Sequence, residues 1–493
     1  MKLWKLVVLT ALLALPLHAQ TIDTRAVDRL VTETIAAWKI PGAAIAIVQN
    51  DRVIYLKGYG VKENGGGAVT PDTLFQIAST SKAFTSAALA ILVDDKKLQW
   101  DDPVRQHVDY FRLADPCASS MVTLRDIVSH RTGLSRHDEL WDNAPWTTAE
   151  VVRMIGDVEL SKSFRSTYQY QNVMFMAAGE AVTSASGMPW SEFVKTRIFT
   201  PLAMTSTRVS DADWNASTDR ASGHRYDRKT DSIIIQKPID TTALAAAGAI
   251  KSNAHDMANW VRMQLGDGLF DGKRVISAEA LNETKTPQTV IRIEGLTRET
   301  SSESNLMAYG MGWTIQDYHG ELLVSHAGAL NGFRTHVDLL PKQKFGFAIL
   351  INAGRGYALI AMRNALIDML LARPQRDWST YFLALDKKSD EQDEAKKRER
   401  DAKRNPNTKP SQDLAAYAGT YESRGYGSAT ISLVNGSLLL RWSRLAIPLT
   451  HFHYDTFSAL SEADDVDEQV TFAIGADGAI QSMTLFGETF VRK

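Results

Sequence analysis

Apolar and polar positions change their period repeatedly along this chain of 493 residues. After an amphipathic stretch through Trp38, the run "PGAAIAIVQNDRVIYLKGYG" holds two β-rich segments, Ala43 to Gln49 and Arg52 to Gly58, joined at Asn50-Asp51. Such segments around an Asn/Asp pair predict an antiparallel hairpin. From Thr80 to about Met263 the pattern is mostly helical, with loops at "DDPVRQHV" and "HRTGL" and N-cap signals at Thr123, Thr147 and Ser252. Further strand candidates, "ELLVSHAG", "RTHVDLLP" and "FGFAILIN", follow from Glu321 onward. The sheet is therefore expected to draw strands from both ends of this region.

Near Leu385 the pattern gives way to "DKKSDEQDEAKKRERDAKRNPNTKP". Its helix-compatible i,i+4 charge pairs and closing prolines predict a linker or solvated helix that few contacts cross. Acidic residues interleave with the basic ones, which argues against a nucleic-acid-binding arm. Beyond it, Asp413 to Lys493 alternates with period two and breaks at Asn435-Gly436 and Asp477-Gly478, the signature of a small β-barrel or curled sheet. The expected division is a signal segment at 1–19, a catalytic region at 20–385, a charged linker at 386–412 and a β-module at 413–493.

Composition narrows the partners. With 44% hydrophobic residues the chain can bury a large core, and 55 basic against 57 acidic residues create no global field for nucleic acid or an anionic membrane. Small molecules and peptides are the expected partners. The opening "MKLWKLVVLTALLALPLHAQ" places Lys2 and Lys5 ahead of an apolar core from Leu6 to Leu17, then the small Ala19, as an export signal does. That core is shorter than the ~20 residues a membrane span needs, so a cleaved periplasmic or secreted protein without a membrane span is expected. The single cysteine, Cys117, cannot form an intramolecular bridge and has no histidine beside it.

One stretch raises a chemical question. "FQIASTSKAFTSAALAILV", Phe75 to Val93, is an alanine-rich helix, apolar on all sides, that begins with a lysine. Residues i and i+3 share a helical face, so Lys82 can reach the Ser79 hydroxyl and remove its proton, provided burial or a nearby cation keeps the amine neutral. Unpaired backbone N–H groups at the helix start would stabilise negative charge developing on a carbonyl oxygen. An isolated S-x-x-K also describes a capping serine and a lysine that reaches solvent. Two more patterns shift the balance: Tyr170-Gln171-Asn172, and His326-Ala327-Gly328.

With these motifs the sequence resembles the serine β-lactamase and D-alanyl-D-alanine peptidase superfamily, in its branch with a tyrosine motif: class C β-lactamases, D-stereospecific peptidases and related esterases. The resemblance extends to "LQWDDPVRQHVDYF", "IVSHRTGLSRHD", "IFTPLAMTSTRVS", "AAAGAIKSNAHDMANW" and "YGMGW", while "YAGTYES" and "HFHYDTF" look like a lipocalin-like module. It implies an α/β fold of the β-lactamase/transpeptidase kind, a sheet flanked by helices with a helical subdomain, plus a C-terminal β-barrel-like module. It further implies that Ser79 is the nucleophile, that Lys82 accepts or relays its proton, and that Tyr170, as phenolate or through Lys82, shares the base role and protonates the leaving group. Asn172 would hold Lys82 and the substrate amide. The N–H groups of Ser79 and Ala329 would form the oxyanion hole, and His326, with Gly328 beside it, would orient the substrate carboxylate or Tyr170.

Many relatives carry lysine where this chain has His326, and an imidazole with a pKa near ~6.5 grips a carboxylate less firmly. The expected activity is therefore a serine hydrolase acting on amide or ester bonds of esters or D-amino-acid peptides. A true β-lactamase and a slowly turning penicillin-binding receptor stand as alternatives. No metal or other cofactor is implied: His451 and His453 lack a carboxylate or cysteine set, and His130 and His137 are expected to fix a loop through backbone hydrogen bonds. The polar segment Thr297 to Asn305 is expected among the loops that shape specificity. Oligomeric state is not legible.

Overall fold

The computed structural model describes residues 22–493 apart from 64, 143, 463 and 465, so the expected export signal lies outside the described residues. β1 (Gly42–Gln49) is buried at every position because both faces of the sheet are covered. Ala43, Ile45 and Ile47 pack with α1 (Thr24–Ala37), while Ala44, Ala46 and Val48 enter the larger core on the opposite face. A strand covered on both faces reads as a continuous apolar run. The turn to β2 (Arg52–Gly60) uses Asn50 and Asp51 at φ 50° and 62°, as a two-residue hairpin requires.

The sheet is eight-stranded and antiparallel. Its later strands are β3 (Thr289–Val290), β4 (Met307–Tyr309), β5 (Thr314–Tyr318), β6 (Glu321–Leu330), β7 (Phe333–Leu340) and β8 (Phe345–Ile351). The order β2-β1-β8-β7-β6-β5-β4-β3 places the first hairpin beside the last strand, so the sheet is indeed assembled from both ends of the region. β3 to β5 were not apparent in the sequence: they are only two, three and five residues long.

The helical part packs around α2 (Ser81–Asp94), whose Phe84 stacks on Trp260 at 3.8 Å, and α3 (Val173–Ser186). Helix α2 is apolar all round because it is enclosed by other elements. Thr123 and Thr147 each form a capping box, as expected. The cap of α4 (Ala254–Leu265), however, is Asn253, whose side chain accepts from Asp256 N, and Ser252 instead belongs to a short strand pair.

On the sheet's other face lie α1, α5 (Gly356–Leu370) and the first turns of α6 (Trp378–Ala402), which bury Trp378, Phe382 and Leu385. The composition change at Leu385 falls inside this continuous helix, where the apolar stripe ends and a charged rod continues. The chain then closes an eight-stranded barrel, β9 (Gly419–Ser423), β10 (Gly427–Val434), β11 (Ser437–Trp442), β12 (Leu445–His453), β13 (Thr456–Ser461), β14 (Val466–Ile474), β15 (Ile480–Leu485) and β16 (Glu488–Arg492), sealed where Tyr421 pairs with Arg492.

The expectation that few contacts cross the charged run is corrected by the structure. The barrel packs back on the catalytic region: Trp442 meets Trp146 with ring centroids 5.5 Å apart, and Tyr426 OH lies 2.8 Å from His137 Nδ1. A Cβ on Gly425 would come within 2.5 Å of Val158, so the glycine permits the close approach. Charge patterning marks a helix that faces solvent, but it carries no information on where the next unit docks.

Candidate active site

Ser79 lies in a short 3₁₀ turn, Ala78–Thr80, directly before α2. Ala78 is held at φ 49°, a costly conformation for a residue with a Cβ, and this bend presents the half-buried Ser79 to a cleft of about 340 Å³. Lys82, one helical turn on, is 0% exposed. Its Nζ lies 3.0 Å from Ser79 Oγ, 2.6 Å from Asn172 Oδ1 and 2.9 Å from the Ala247 carbonyl. The last two are carbonyl oxygens, which only accept, so they use two N–H bonds. A neutral amine then has its lone pair left for the hydroxyl hydrogen of Ser79. Burial, reinforced by the nearby Arg136, holds the Lys82 amine well below the ordinary lysine range, while Asp138 opposes that shift. The lysine at the start of a buried helix is thus held, by burial, toward its neutral form beside Ser79.

Tyr170 enters from the segment before α3 and lines the cleft beside Ser79. Burial pushes its hydroxyl well above the ordinary phenol range, so at neutral pH it is a phenol, which fits transfer through Lys82 and not the phenolate form. Lys82 Nζ sits 5.0 Å from the Tyr170 ring centroid. His130, at 4.3 Å from the same ring, supports it, and its Nδ1 accepts from Gln171 N at 3.4 Å, in line with the loop-fixing role expected of it. His137 differs: among the described residues its ring bonds to the side chains of Ser135 and Tyr426 and to no backbone group.

β6 forms the opposite wall. Gly328 lets it run against the serine turn, since a Cβ there would fall 2.1 Å from the Ile77 carbonyl oxygen and 2.3 Å from Thr335 Oγ1. Thr335 Oγ1 donates to that same carbonyl at 2.8 Å, tying the sheet to the turn. Ala329 follows and lines the cleft together with Ser79. His326 is buried, which pushes its imidazole down to about 3 and leaves it neutral. Its Nδ1 donates to the Ala327 carbonyl at 2.7 Å, so its Nε2 accepts from Tyr309 OH at 2.8 Å. Both nitrogens are occupied, and a substrate carboxylate would have to displace Tyr309 to reach the ring.

All the residues singled out in the sequence, Ser79, Lys82, Tyr170, Asn172, His326, Gly328 and Ala329, meet around this one cleft. Others were missed. Asp138 accepts from Asn172 Nδ2 at 3.0 Å, from Trp141 Nε1 at 2.8 Å and from Arg136 Nε at 2.7 Å. Tyr168 and Tyr309 complete an aromatic wall. Their signal was faint: "SRHDEL" is a polar run inside a loop, and "YGMGW" supplied Tyr309 only as part of a resemblance. The polar segment Thr297 to Asn305 is not part of the cleft wall; Glu299 there bonds to Tyr381 and Lys388 of α6, away from Ser79. His451 Nε2 donates to the Tyr454 carbonyl in its own strand turn, and the described residues contain no cluster of ligands suited to a metal.

A family model described as Beta-lactamase matches residues 27–370, and a second, described as a domain of unknown function, matches residues 403–492. An unguisins hydrolase of Aspergillus campestris is 31% identical over 429 residues, covering 82% of this chain and 76% of that protein. Protein flp of Staphylococcus aureus is 25% identical over 336 residues, 67% of this chain and 63% of its own length. Among solved structures, the octameric penicillin-binding protein homologue from Pyrococcus abyssi superposes with a TM-score of 0.63 at 22% identity, covering 96% of this chain and 100% of that one. SurE superposes at 0.57 and 19% identity, covering 95% and 98%. These two likenesses are of fold. With the sheet and the helical part lying inside the first family match, the chain belongs to the beta-lactamase family of hydrolases.

Proposed function

We propose that the protein is a serine hydrolase that forms an acyl-enzyme at Ser79 with peptide-like amides or esters, of the D-stereospecific peptidase and esterase kind. The observation that carries this reading is Lys82: fully buried, in no ion pair among the described residues, and 3.0 Å from Ser79 Oγ. Neutral Lys82 takes the Ser79 proton as Oγ bonds to the carbonyl carbon, and the oxyanion forms toward the N–H groups of Ser79 and Ala329. Collapse breaks the bond to the leaving nitrogen or oxygen, and the proton taken from Ser79 reaches it by way of the Tyr170 hydroxyl. Water then repeats the sequence on the acyl-enzyme.

A neutral, doubly bonded His326 offers no charge to a carboxylate beside the oxyanion site. Arg136, the cationic side chain lining the cleft, is already paired with Asp138. This favours substrates without a carboxylate next to the scissile bond, and so favours esters and internal amides over β-lactams. The hydrolase named among the relatives supports a hydrolytic reaction. The test is intact-mass detection of acyl-enzyme, with kcat/KM for a p-nitrophenyl ester, a D-alanyl peptide, a penicillin and a cephalosporin measured side by side. Acylation of wild type but not of Ser79→Ala, with ester or peptide ahead, is the expected result; fast β-lactam turnover would favour the β-lactamase reading. We further propose export through residues 1–19, for which N-terminal sequencing of the mature protein should begin at Gln20.

A further inference from the structure

The barrel touches the catalytic region at the loop that holds the catalytic pair. Tyr426, 1% exposed, lies in the turn between β9 and β10, its ring stacked on Trp442 at 5.8 Å. Its hydroxyl is 2.8 Å from His137 Nδ1, and Ser135 Oγ is 2.8 Å from the other ring nitrogen. His137 is thereby clamped on both sides, and its backbone is left-handed at φ 46°, an uncommon conformation for a residue with a Cβ. The next residue, Asp138, turns inward. Its Oδ1 receives Asn172 Nδ2 and Trp141 Nε1, and Asn172 then presents Oδ1 to Lys82 at 2.6 Å. An asparagine amide has two equivalent-looking ends, and the carboxylate of Asp138 is what fixes the carbonyl end toward the lysine.

We propose that Tyr426 and Asp138 are positioning residues for Lys82, so that the barrel belongs to the hydrolytic machinery through the path Tyr426, His137, Asp138, Asn172, Lys82. This rests on the reading of Ser79 and Lys82 as the reacting pair. The barrel therefore aligns the base without contributing an atom to the reaction. If Asn172 lost its partner at Asp138, its amide could rotate and turn N–H bonds toward Lys82, which would compete for the lone pair that Ser79 uses. Substrate binding, on the cleft's aromatic wall, would be little affected.

The experiment uses the full chain and the acylation burst from a p-nitrophenyl ester, with Ser79→Ala as control. Asp138→Ala should slow acylation by about tenfold or more, the scale of losing a hydrogen bond to a charged group. KM should change less than the acylation rate, because the aromatic wall of the cleft is kept even though Asp138 borders it. Asp138→Asn, which keeps an acceptor, should recover much of the rate while moving the acid limb of the pH profile to lower pH, since the charge that opposes Lys82 deprotonation is gone. Tyr426→Phe keeps the stacked ring and should slow acylation about threefold to tenfold with unchanged KM, the scale of one neutral hydrogen bond. Wild-type acylation rates in both Tyr426→Phe and Asp138→Ala would overturn the proposal, as would a Tyr426→Phe effect confined to KM, which would make the barrel a substrate wall. Should Asp138→Ala fail to fold, the rate and pH profile of Asp138→Asn decide. Turnover that survives in Ser79→Ala would instead refute the underlying assignment of the nucleophile.

Discussion

At the scale of single residues, the site depends on a buried amine whose charge state is set by few neighbours. Around Lys82 stand Arg136, Asp138, Tyr170, His130 and His326. Both histidines are held neutral chiefly by burial, and Tyr170 stays a phenol. Arg136 and Asp138 are therefore the charges that tune the Lys82 amine. Removing the cation in Arg136→Gln raises the Lys82 pKa, so the acid limb of kcat/KM for a neutral ester should move to higher pH, opposite in sign to Asp138→Asn. A shift in the same direction for both would show that Lys82 is not the titrating base. The same burial costs stability. Because the folded state binds fewer protons at Lys82 than the unfolded chain does, stability contributed at this site rises with pH, from the lowered folded value up to ~10.4. Lys82→Met should abolish acylation, and although it strands the Asn172 and Ala247 carbonyls at either pH, its urea midpoint relative to wild type should be higher at pH 7 than at pH 9; the same difference at both pH values would mean that folding does not depress the Lys82 pKa. The three motifs, Ser79 to Lys82, Tyr170 to Asn172 and His326 to Gly328, were legible in sequence because each spans no more than four residues. Asp138 and Arg136 were not, because only the irregular loop from Ser135 to Asp142 brings them to Asn172, and a loop's path has no period to read.

Among the elements, β6 does the most to define the site, and its demand for glycine is steric. The strand must pass the Ile77 carbonyl closely enough for Thr335 to bond it, and a Cβ at 328 would stand 2.1 Å from that oxygen. The neighbours there are backbone and a buried hydroxyl, which have little room to yield. Gly328→Ala should therefore separate β6 from the serine turn, lowering stability by about 1–3 kcal/mol, as overpacking does, and slowing acylation because Ala329 N moves away from Ser79. Urea denaturation and the ester burst on one preparation test both parts; an unchanged burst would place the oxyanion donor elsewhere. The strands β1, β2, β6, β7 and β8 were readable from alternation or continuous burial, whereas β3 to β5 are too short to show a period. The misplaced cap at Ser252 has a similar origin. Ser252 and Asn253 are adjacent cap-forming residues, and only the short strand that claims Lys251 and Ser252 leaves the cap to Asn253.

For the whole molecule, the question is whether the barrel unfolds on its own. A rod-like charged helix between two folded units normally implies independent transitions. Here the units also meet side by side. Trp146 of the catalytic region faces Trp442, itself 2% exposed and bonded through Nε1 to the Tyr426 carbonyl, and Arg400 in the charged part of α6 pairs with Asp467 of the barrel. The ion pair is still partly open to solvent and contributes little. The aromatic join buries more, and a tilted ring pair adds about 0.5–1.5 kcal/mol beyond its area. The loop from Ser135 to Asp142 lies at this same seam, so loss of the join should reach the active site before the rest of the catalytic fold melts. We therefore expect wild type to lose acylation and barrel tryptophan fluorescence in one thermal transition. In Trp146→Ala the barrel signal should melt earlier, with acylation falling alongside it while the main far-UV transition stays near its wild-type temperature. If instead acylation in Trp146→Ala tracks the main transition and ignores the early one, the barrel and the base at Lys82 are uncoupled, and the path from Tyr426 through His137 to Asn172 carries no energy between them.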